Sequence, residues 1–301
     1  VPTRGSRCIR STLGPAPDST RYRRAGSLTL RARLAFRGVP NDTGTPPRSA
    51  LLVAWGNAWL CGEASLPELV LRTTGEDDAH LVVGLDRDDL PLQTAVGRLR
   101  ASGCERLRLV LPAPGDALGL PAPGPFTAAA LTASEGVLAL RPGGAGTGLV
   151  PTLRSHGSPF DGTVTSVTWT AYEVVVPGPD PGPFLHDAEH DLRRGIVEAA
   201  TALRDLDVAR WRPDVAGALT DLRRDARRGL DDDELPGSHP QRARQLLVSA
   251  RQLAGVLALA GQDSGGALDS RETTGREQEL RELSRLVRRA RIAAYNAGSQ
   301  T

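Results

Sequence analysis

The sharpest chemical pattern in the chain is His186-Asp187-Ala188-Glu189-His190. Histidines four apart share one face of a helix, so both imidazoles can reach one metal ion. A glutamate beside them can polarise the water that the metal binds. Zinc suits this donor set. A further protein ligand is needed, and no acid declares itself. Glu198 is too close on the same helix, Glu234 closes an acidic run, and Glu272, Glu277, Glu279 and Glu282 lie in or beside the last helix. Because short motifs match often by chance, a capping and solvating role at a helix start outweighs metal binding.

H-x-x-E-H is the inverted zinc-protease pattern, and in these five residues the chain resembles the inverzincins. The resemblance covers that stretch alone. It implies a metal-dependent hydrolase with His186 and His190 as zinc ligands, Glu189 as the water-polarising acid, and a downstream glutamate ligand on a neighbouring helix.

A second candidate is the loop between the strand Leu107–Leu111 and a helix opening at Pro125. It carries the same four residues twice, Pro112-Ala113-Pro114-Gly115 and Pro121-Ala122-Pro123-Gly124. Stiff loops that leave a buried strand are common binding sites in α/β proteins, and a helix amino terminus near Gly124 can hold an anion. Asp116 is the only charge in the loop, which argues against phosphate and favours a cation, an amine or a hydroxyl. Gly115, Asp116 and Gly124 are the candidate ligand-binding residues, against a plain stiffening role for the four prolines.

The remaining signals read as structural. Gly143–Gly148 lacks the Lys-Ser/Thr pair of a phosphate loop and precedes a strand, so it is expected to be a flexible turn. Cys61 has no histidine placed to pair with it and is expected to be a small buried thiol. His156 and Asp161 fall in a hairpin loop, too close together to assemble a triad. Arg281, Arg285, Arg288, Arg289 and Arg291 make the last helix basic, as a site for nucleic acid or an acidic protein would be. Glu277, Glu279 and Glu282 interleave with them, and a solvated helix face is favoured.

Composition narrows the field. The 301 residues include 37 basic ones, all arginine, and no methionine. Isoleucine occurs only at 9, 196 and 292. Lysine, methionine and isoleucine have AT-leaning codons, so a GC-rich, actinobacterium-like source is expected. Residues 1–48 carry +8, residues 49–182 carry −6 and residues 183–301 are neutral, which sums to the net +2. An acidic middle makes a nucleic-acid groove there unlikely. Three dispersed cysteines fit a reducing, cytoplasmic setting, and no apolar run reaches membrane-spanning length.

These residues need elements to hold them. Residues 1–48 are expected to be a disordered Arg-rich arm; Val1 fits a GTG start codon and Val39 a later one, so an over-extended gene start or a plain arm outweighs a targeting peptide. Residues 49–177 read as a mixed α/β domain. Leu51–Trp55 and Ala58–Cys61 are expected to pair as a hairpin about Gly56-Asn57; after them the Ser65–Glu68 capping box predicts a short helix over Leu66–Arg72, with a strand there as the alternative. Strands at 80–85, 107–111 and 137–140 alternate with helices ended by Gly103 and Gly136, which predicts crossovers and a mainly parallel sheet. Leu149–Leu153 and Val164–Val176 are expected to add antiparallel strands, with Val167, Trp169 and Ala171 on one face. Pro177–Pro183 reads as a linker. Residues 183–298 read as a four-helix region, with helices at 184–209, 213–229, 240–261 and 272–296 and solvated connections at 231–234 and 262–271. Leu280, Leu283, Val287, Ala290 and Ala294 form a seam in the last helix.

The function expected is a non-catalytic binding, regulatory or protein-interaction role, with a protein partner or a second copy meeting the helical bundle. A metal-dependent hydrolase and a nucleic-acid binder are the alternatives. No cofactor other than zinc is indicated.

Overall fold

Arg48–Leu60 forms a helix, α1, where the sequence predicts a hairpin. Its residues from Ser49 through Ala58 are buried except Leu51. A helix covered on almost all sides shows no helical period, and a short apolar run then looks like a strand. Gly56 and Asn57 are not a turn. A Cβ at Gly56 would lie 2.3 Å from Leu107 Cδ1, so glycine admits the close approach of helix to sheet. Asn57 reaches the Leu107 backbone in the same place. The computed structural model describes residues 46–158, 162–176, 182–205, 234–262 and 270–299, so the expected arm at 1–48, apart from its last three residues, lies outside the described residues. So do the expected helix at 213–229, most of the linker and Asp161.

Helix α2, Leu66–Thr74, starts where Ser65 Oγ accepts a hydrogen bond from Glu68 N, as the spacing predicts. Strand β1 (Ala79–Val83), the short strand β2 (Leu90–Pro91) and helix α3 (Leu92–Ala101) follow. Gly103, with φ 90°, ends α3 in the left-handed region, as expected. Next come β3 (Arg106–Val110), α4 (Pro125–Ala133), β4 (Gly136–Leu140), β5 (Ala145–Ser158) and β6 (Gly162–Val175). Ser134, with φ 60°, ends α4; Gly136, expected to do so, lies in β4. Three described helices complete the chain: α5 (Leu185–Asp205), α6 (Gln241–Gln262) and α7 (Ser270–Asn296).

A mixed α/β layer followed by helices is the expected class. The sheet order is β2-β1-β6-β5-β4-β3. Only β1 with β6 is parallel among these pairings, so the sheet is mainly antiparallel, contrary to the crossover reading. The reason lies in the loop after β3. Val110 faces Gly136 across the β3–β4 pair, so the chain leaves and re-enters the sheet at one end. The loop doubles back, bringing Gly119 O within 3.0 Å of Arg108 Nη2, and α4 then returns to the same end. A helix between two strands implies a crossover only when its loops are short.

One face of the sheet presents Leu107, Leu109, Val137, Ala139, Leu149, Val167 and Trp169, with Ala171 beside them. Residues of α1, α2 and α3 cover it, together with Leu247 of α6 and Ile292, Ala294 and Tyr295 of α7. The other face packs Val110, Leu138, Leu140, Val150 and Val174 against Phe126 and Ala130 of α4. Phe126 fills the space over Gly148, where a Cβ would meet its ring at 2.2 Å. Gly146 and Gly148 are therefore strand residues, not part of a flexible turn: Gly148 seats the ring, and a Cβ at Gly146 would lie 2.5 Å from Ala139 O of the neighbouring strand.

Helices α5, α6 and α7 bury a third cluster that includes Leu192, Leu246, Ala250, Leu283, Val287 and Ala290. The seam of α7 serves two cores. Leu280, Leu283, Val287 and Ala290 face α5 and α6, and Ala294 reaches the sheet core. Gly38–Thr301 accordingly forms one compact unit.

Strand β3 is a sheet edge, and edges need cover. Asn57 Oδ1 accepts from Leu107 N at 2.8 Å, and Asn57 Nδ2 donates to Leu107 O at 2.9 Å. Asn296, at the end of α7, repeats the arrangement on Leu109, at 2.8 Å and 3.4 Å. Two side-chain amides thus take the place of a neighbouring strand.

Candidate functional site

The two copies of Pro-Ala-Pro-Gly fold differently. In the first, Ala113 and Asp116 exchange backbone hydrogen bonds at 3.0 and 2.9 Å around Pro114-Gly115, and Gly115 has φ 80°. Proline then glycine at the centre is the chemistry of a type II turn. In the second, Gly124 is extended with φ 178°, as the residue before a proline prefers, and Pro125 opens α4.

The first turn aims Asp116 at α7. Arg288 Nη2 donates to Asp116 Oδ2 at 2.9 Å, and Arg289 Nη2 approaches Oδ1 at 3.4 Å. Burial alone would raise the Asp116 carboxyl. The Arg288 and Arg289 guanidinium groups outweigh it and hold Asp116 below the usual carboxylate range. The cation expected at Asp116 is thus supplied from within the chain, and it includes Arg288, read from sequence as a contact for nucleic acid or an acidic partner.

Beside this loop, on the α4 side of the sheet, a cavity of about 400 Å3 opens at the strand ends. Arg106 and Arg108 line it from β3, Arg141 from the turn after β4, and Glu105 from the position just before β3. Arg108 is 4 % exposed and donates to Gly119 O. Sequence reading passed over these residues because β3 reads as one buried apolar run. The signal was present in Arg106-Leu-Arg-Leu-Val110: alternation puts both arginines on one face of the strand.

A second depression, of about 550 Å3, lies between α4 and strands β5 and β6, walled by Ala129, Thr132, Val150, Thr152 and Tyr172. Glu135 borders it and is 5 % exposed. Its Oε2 accepts from Ser49 N at 2.9 Å, serving as a remote cap for α1, whose N-cap, Pro47, has no capping side chain. Burial pushes the Glu135 carboxyl up, against the pull of that hydrogen bond and of Arg48 and Arg291.

The other expected residues are dispersed. His186 and His190 are exposed on α5. Between them Glu189 is already engaged, by Arg242 of α6 at 2.6 Å and by Arg193 at 2.5 Å. The Arg242 hydrogen bond is the main reason its carboxyl is held below the usual range. Among the described residues no three His, Cys, Asp or Glu gather as a metal site. Arg281 donates to Glu277 O, and Arg285 forms a forked pair with Glu282. Cys61 is exposed at the end of α1, not buried; Cys104 is the buried thiol. His156 lies within β5 and bonds Ser166 Oγ, not in a loop.

Two buried polar groups were not foreseen. Asp77 takes Arg48 and His80, while Trp169 Nε1 donates to His80 Nδ1 at 3.3 Å. Glu234, expected in a solvated connection, is 4 % exposed and pairs with Arg251 and Tyr295. Each unites residues far apart in sequence, which no local pattern announces.

Comparison with known proteins places the chain among others. Residues 49–183 match the model described as Rv1486c-like protein, N-terminal domain, and residues 186–292 match Rv1486c-like protein, C-terminal domain. The chain is 30% identical to "Uncharacterized protein ML1804" of Mycobacterium leprae over 83% of its own length and 96% of that protein's. It belongs to the Rv1486c-like family. "Uncharacterized protein Rv1486c" of Mycobacterium tuberculosis is 29% identical over the same shares. Mycobacterial relatives agree with the GC-rich source read from composition. No solved structure matches the chain. On the Rv1486c-like segments, the arginine-lined cavity and Asp116 fall in the first and Arg288 and Arg289 in the second, so the ion pair ties one to the other. Tyr295 and Asn296, which lock α7 to the sheet, lie just past the second match.

Proposed function

We propose that the protein is a non-catalytic binding and regulatory protein. The α/β layer carries a ligand surface on its α4 side, and the helical segment holds that surface in place and offers contacts to a protein partner or a second copy. The observation that carries this reading is the double grip of Arg288 and Arg289 on Asp116. The loop's charged side chain is spent on fixing the loop, so the loop shapes a wall and supplies no acid or base. Asp77, Glu189 and Glu234 are spent on arginines in the same way. A general acid or base must instead face the proton that it moves. Ile196 and Val197, 40 % and 66 % exposed on α5, give the helical segment an apolar outer patch for a partner. A cytoplasmic setting fits Cys61 and Cys104, both free thiols, and no helix among the described residues is long and apolar enough to cross a membrane.

The hydrolase reading has Glu189 leave two guanidinium groups before it could polarise a metal-bound water. The nucleic-acid reading loses Arg285 to Glu282 and Arg288 to Asp116. The test is to find small molecules that raise the melting temperature of the full chain and to recover them afterwards. The expected outcome is a ligand returned chemically unchanged. A ligand consumed by the protein, and spared by Glu189→Gln or another single acid or histidine substitution, contradicts the proposal.

A further inference from the structure

We infer that the depression between α4 and strands β5 and β6 is a binding site for an organic ammonium ion, with Glu135 as its counter-ion. This rests on the reading of the protein as a binder and names the ligand class. The acids Asp77, Asp116, Glu189 and Glu234 each engage an arginine. Glu135 is 5 % exposed and forms no ion pair among the described residues. Its partner is Ser49: Oε2 accepts from Ser49 N at 2.9 Å, which ties the carboxyl to the amino end of α1. A helix end offers a partial positive charge, less than a full counter-ion. Arg48 and Arg291 act on the carboxyl without reaching salt-bridge range, and Arg48 is held by Asp77 at 2.6 Å. A buried carboxylate without a counter-ion is costly. Burial accordingly pushes the Glu135 carboxyl up, and an ammonium group beside it offsets that cost.

The walls suit an organic monocation. Among the described residues Glu135 is the only charged side chain that borders the depression, in a chain with 37 arginines. Thr132, Thr152 and Thr170 border it too, and hydroxyl oxygens accept from the N–H groups of an ammonium. Thr132 Oγ1 donates its own proton to Ala128 O at 3.0 Å, so toward a ligand it acts as an acceptor. Tyr172, whose ring packs against Phe126 at 6.3 Å between centroids, adds an aromatic surface of the kind that attracts cations. Ala129 and Val150 give apolar contact for the ligand's carbon body. A metal ion needs more ligands than one carboxylate, and among the described residues no three His, Cys, Asp or Glu gather as a metal site. A volume of about 550 Å3 lies within the range of small-molecule sites.

The test is an NMR titration of the full chain with phenethylamine, with phenethyl alcohol as the neutral analogue. Glu135→Gln keeps an acceptor for Ser49 N and removes the charge. Thr132→Arg puts a cation at the rim; Thr132 is exposed on α4, so this variant is expected to fold. Melting curves check both variants, and if Glu135→Gln does not fold, Thr132→Arg alone decides. The expected result is saturable shifts of the Thr132, Thr152 and Thr170 amides with the amine, binding about tenfold weaker in each variant, and the alcohol weaker than the amine by a similar factor. No such shifts, equal binding of amine and alcohol, or an affinity unchanged in either folded variant overturns the site. If the amine fails while another ligand class raises the melting temperature, the site falls and the binding reading stands. An amine that is bound and consumed, and spared by Glu135→Gln, keeps the site and overturns the non-catalytic reading.

Discussion

Asp116 accepts from two consecutive arginines of α7, and the contact is mostly sheltered from water. Changing it to Asn removes the charge but keeps the shape. The expected loss is about 2 kcal/mol of stability at neutral pH, the scale of a charge-assisted hydrogen bond. The sign of the pH dependence follows from its lowered carboxyl. The contribution is complete above the unfolded value of about 3.9 and disappears as pH falls through the lower folded value. Denaturant melts of the two proteins should therefore differ at pH 7 and converge only as pH falls below about 3.9 and through the lower folded value; a gap that stays the same to the acid end of that range refutes the assignment. His80 and His239 make a second case. Burial pulls both imidazoles below their usual value. Each is stabilising when neutral, so its contribution is complete above about pH 6.5 and is lost as pH falls through its folded value. Proton NMR of the imidazoles should show both titrating below the ordinary histidine range, and either one titrating above it would be inconsistent with the buried neutral state. At this scale the sequence revealed residue types but not pairings. Asp116 and Arg288 were both visible as candidates, and 172 positions separate them.

At the scale of elements, short apolar runs bounded by turn residues marked the strands, and cap and breaker residues marked the helices. The strands at Ala79–Val83, Arg106–Val110 and Gly136–Leu140 and the helices that start at Leu66, Leu92 and Pro125 all lie close to their expected places. These signals failed at α1, which is buried nearly all round, and at Gly56-Asn57, whose turn-like chemistry serves close packing and edge sealing instead. Asn57→Ala should cost about 3 kcal/mol, because Leu107 N and O are left buried without partners. The uncovered edge should also make the variant self-associate. Chemical denaturation with light scattering checks both, and a variant as stable as the parent would mean that water replaces the amide. Gly148→Ala drives a Cβ into Phe126 and should cost about 2 kcal/mol. Adding Phe126→Leu should return part of that loss in a double-mutant cycle; strictly additive losses would show that the ring does not rest on Gly148.

At the scale of the molecule, chain segments and cores do not coincide. A proline-rich stretch divides the sequence into an α/β part and a helical part, and two family models match on either side of it. The sheet core nevertheless takes Leu247, Ile292 and Tyr295 from the helical part, and Asn296 closes the edge of β3. No sequence pattern shows this, because the seam of α7 reads the same whether it faces helices or a sheet. The arginine-lined cavity and its loop therefore rest on a body built from both parts. Hydrogen exchange as a function of denaturant measures this directly. The slowest amides of β4, at Gly136–Leu140, and those of α6 around Ala250 should open with one free energy and one denaturant dependence. If α6 and α7 open at a lower cost while β4 stays protected, the two parts are separate bodies and the shared core is wrong.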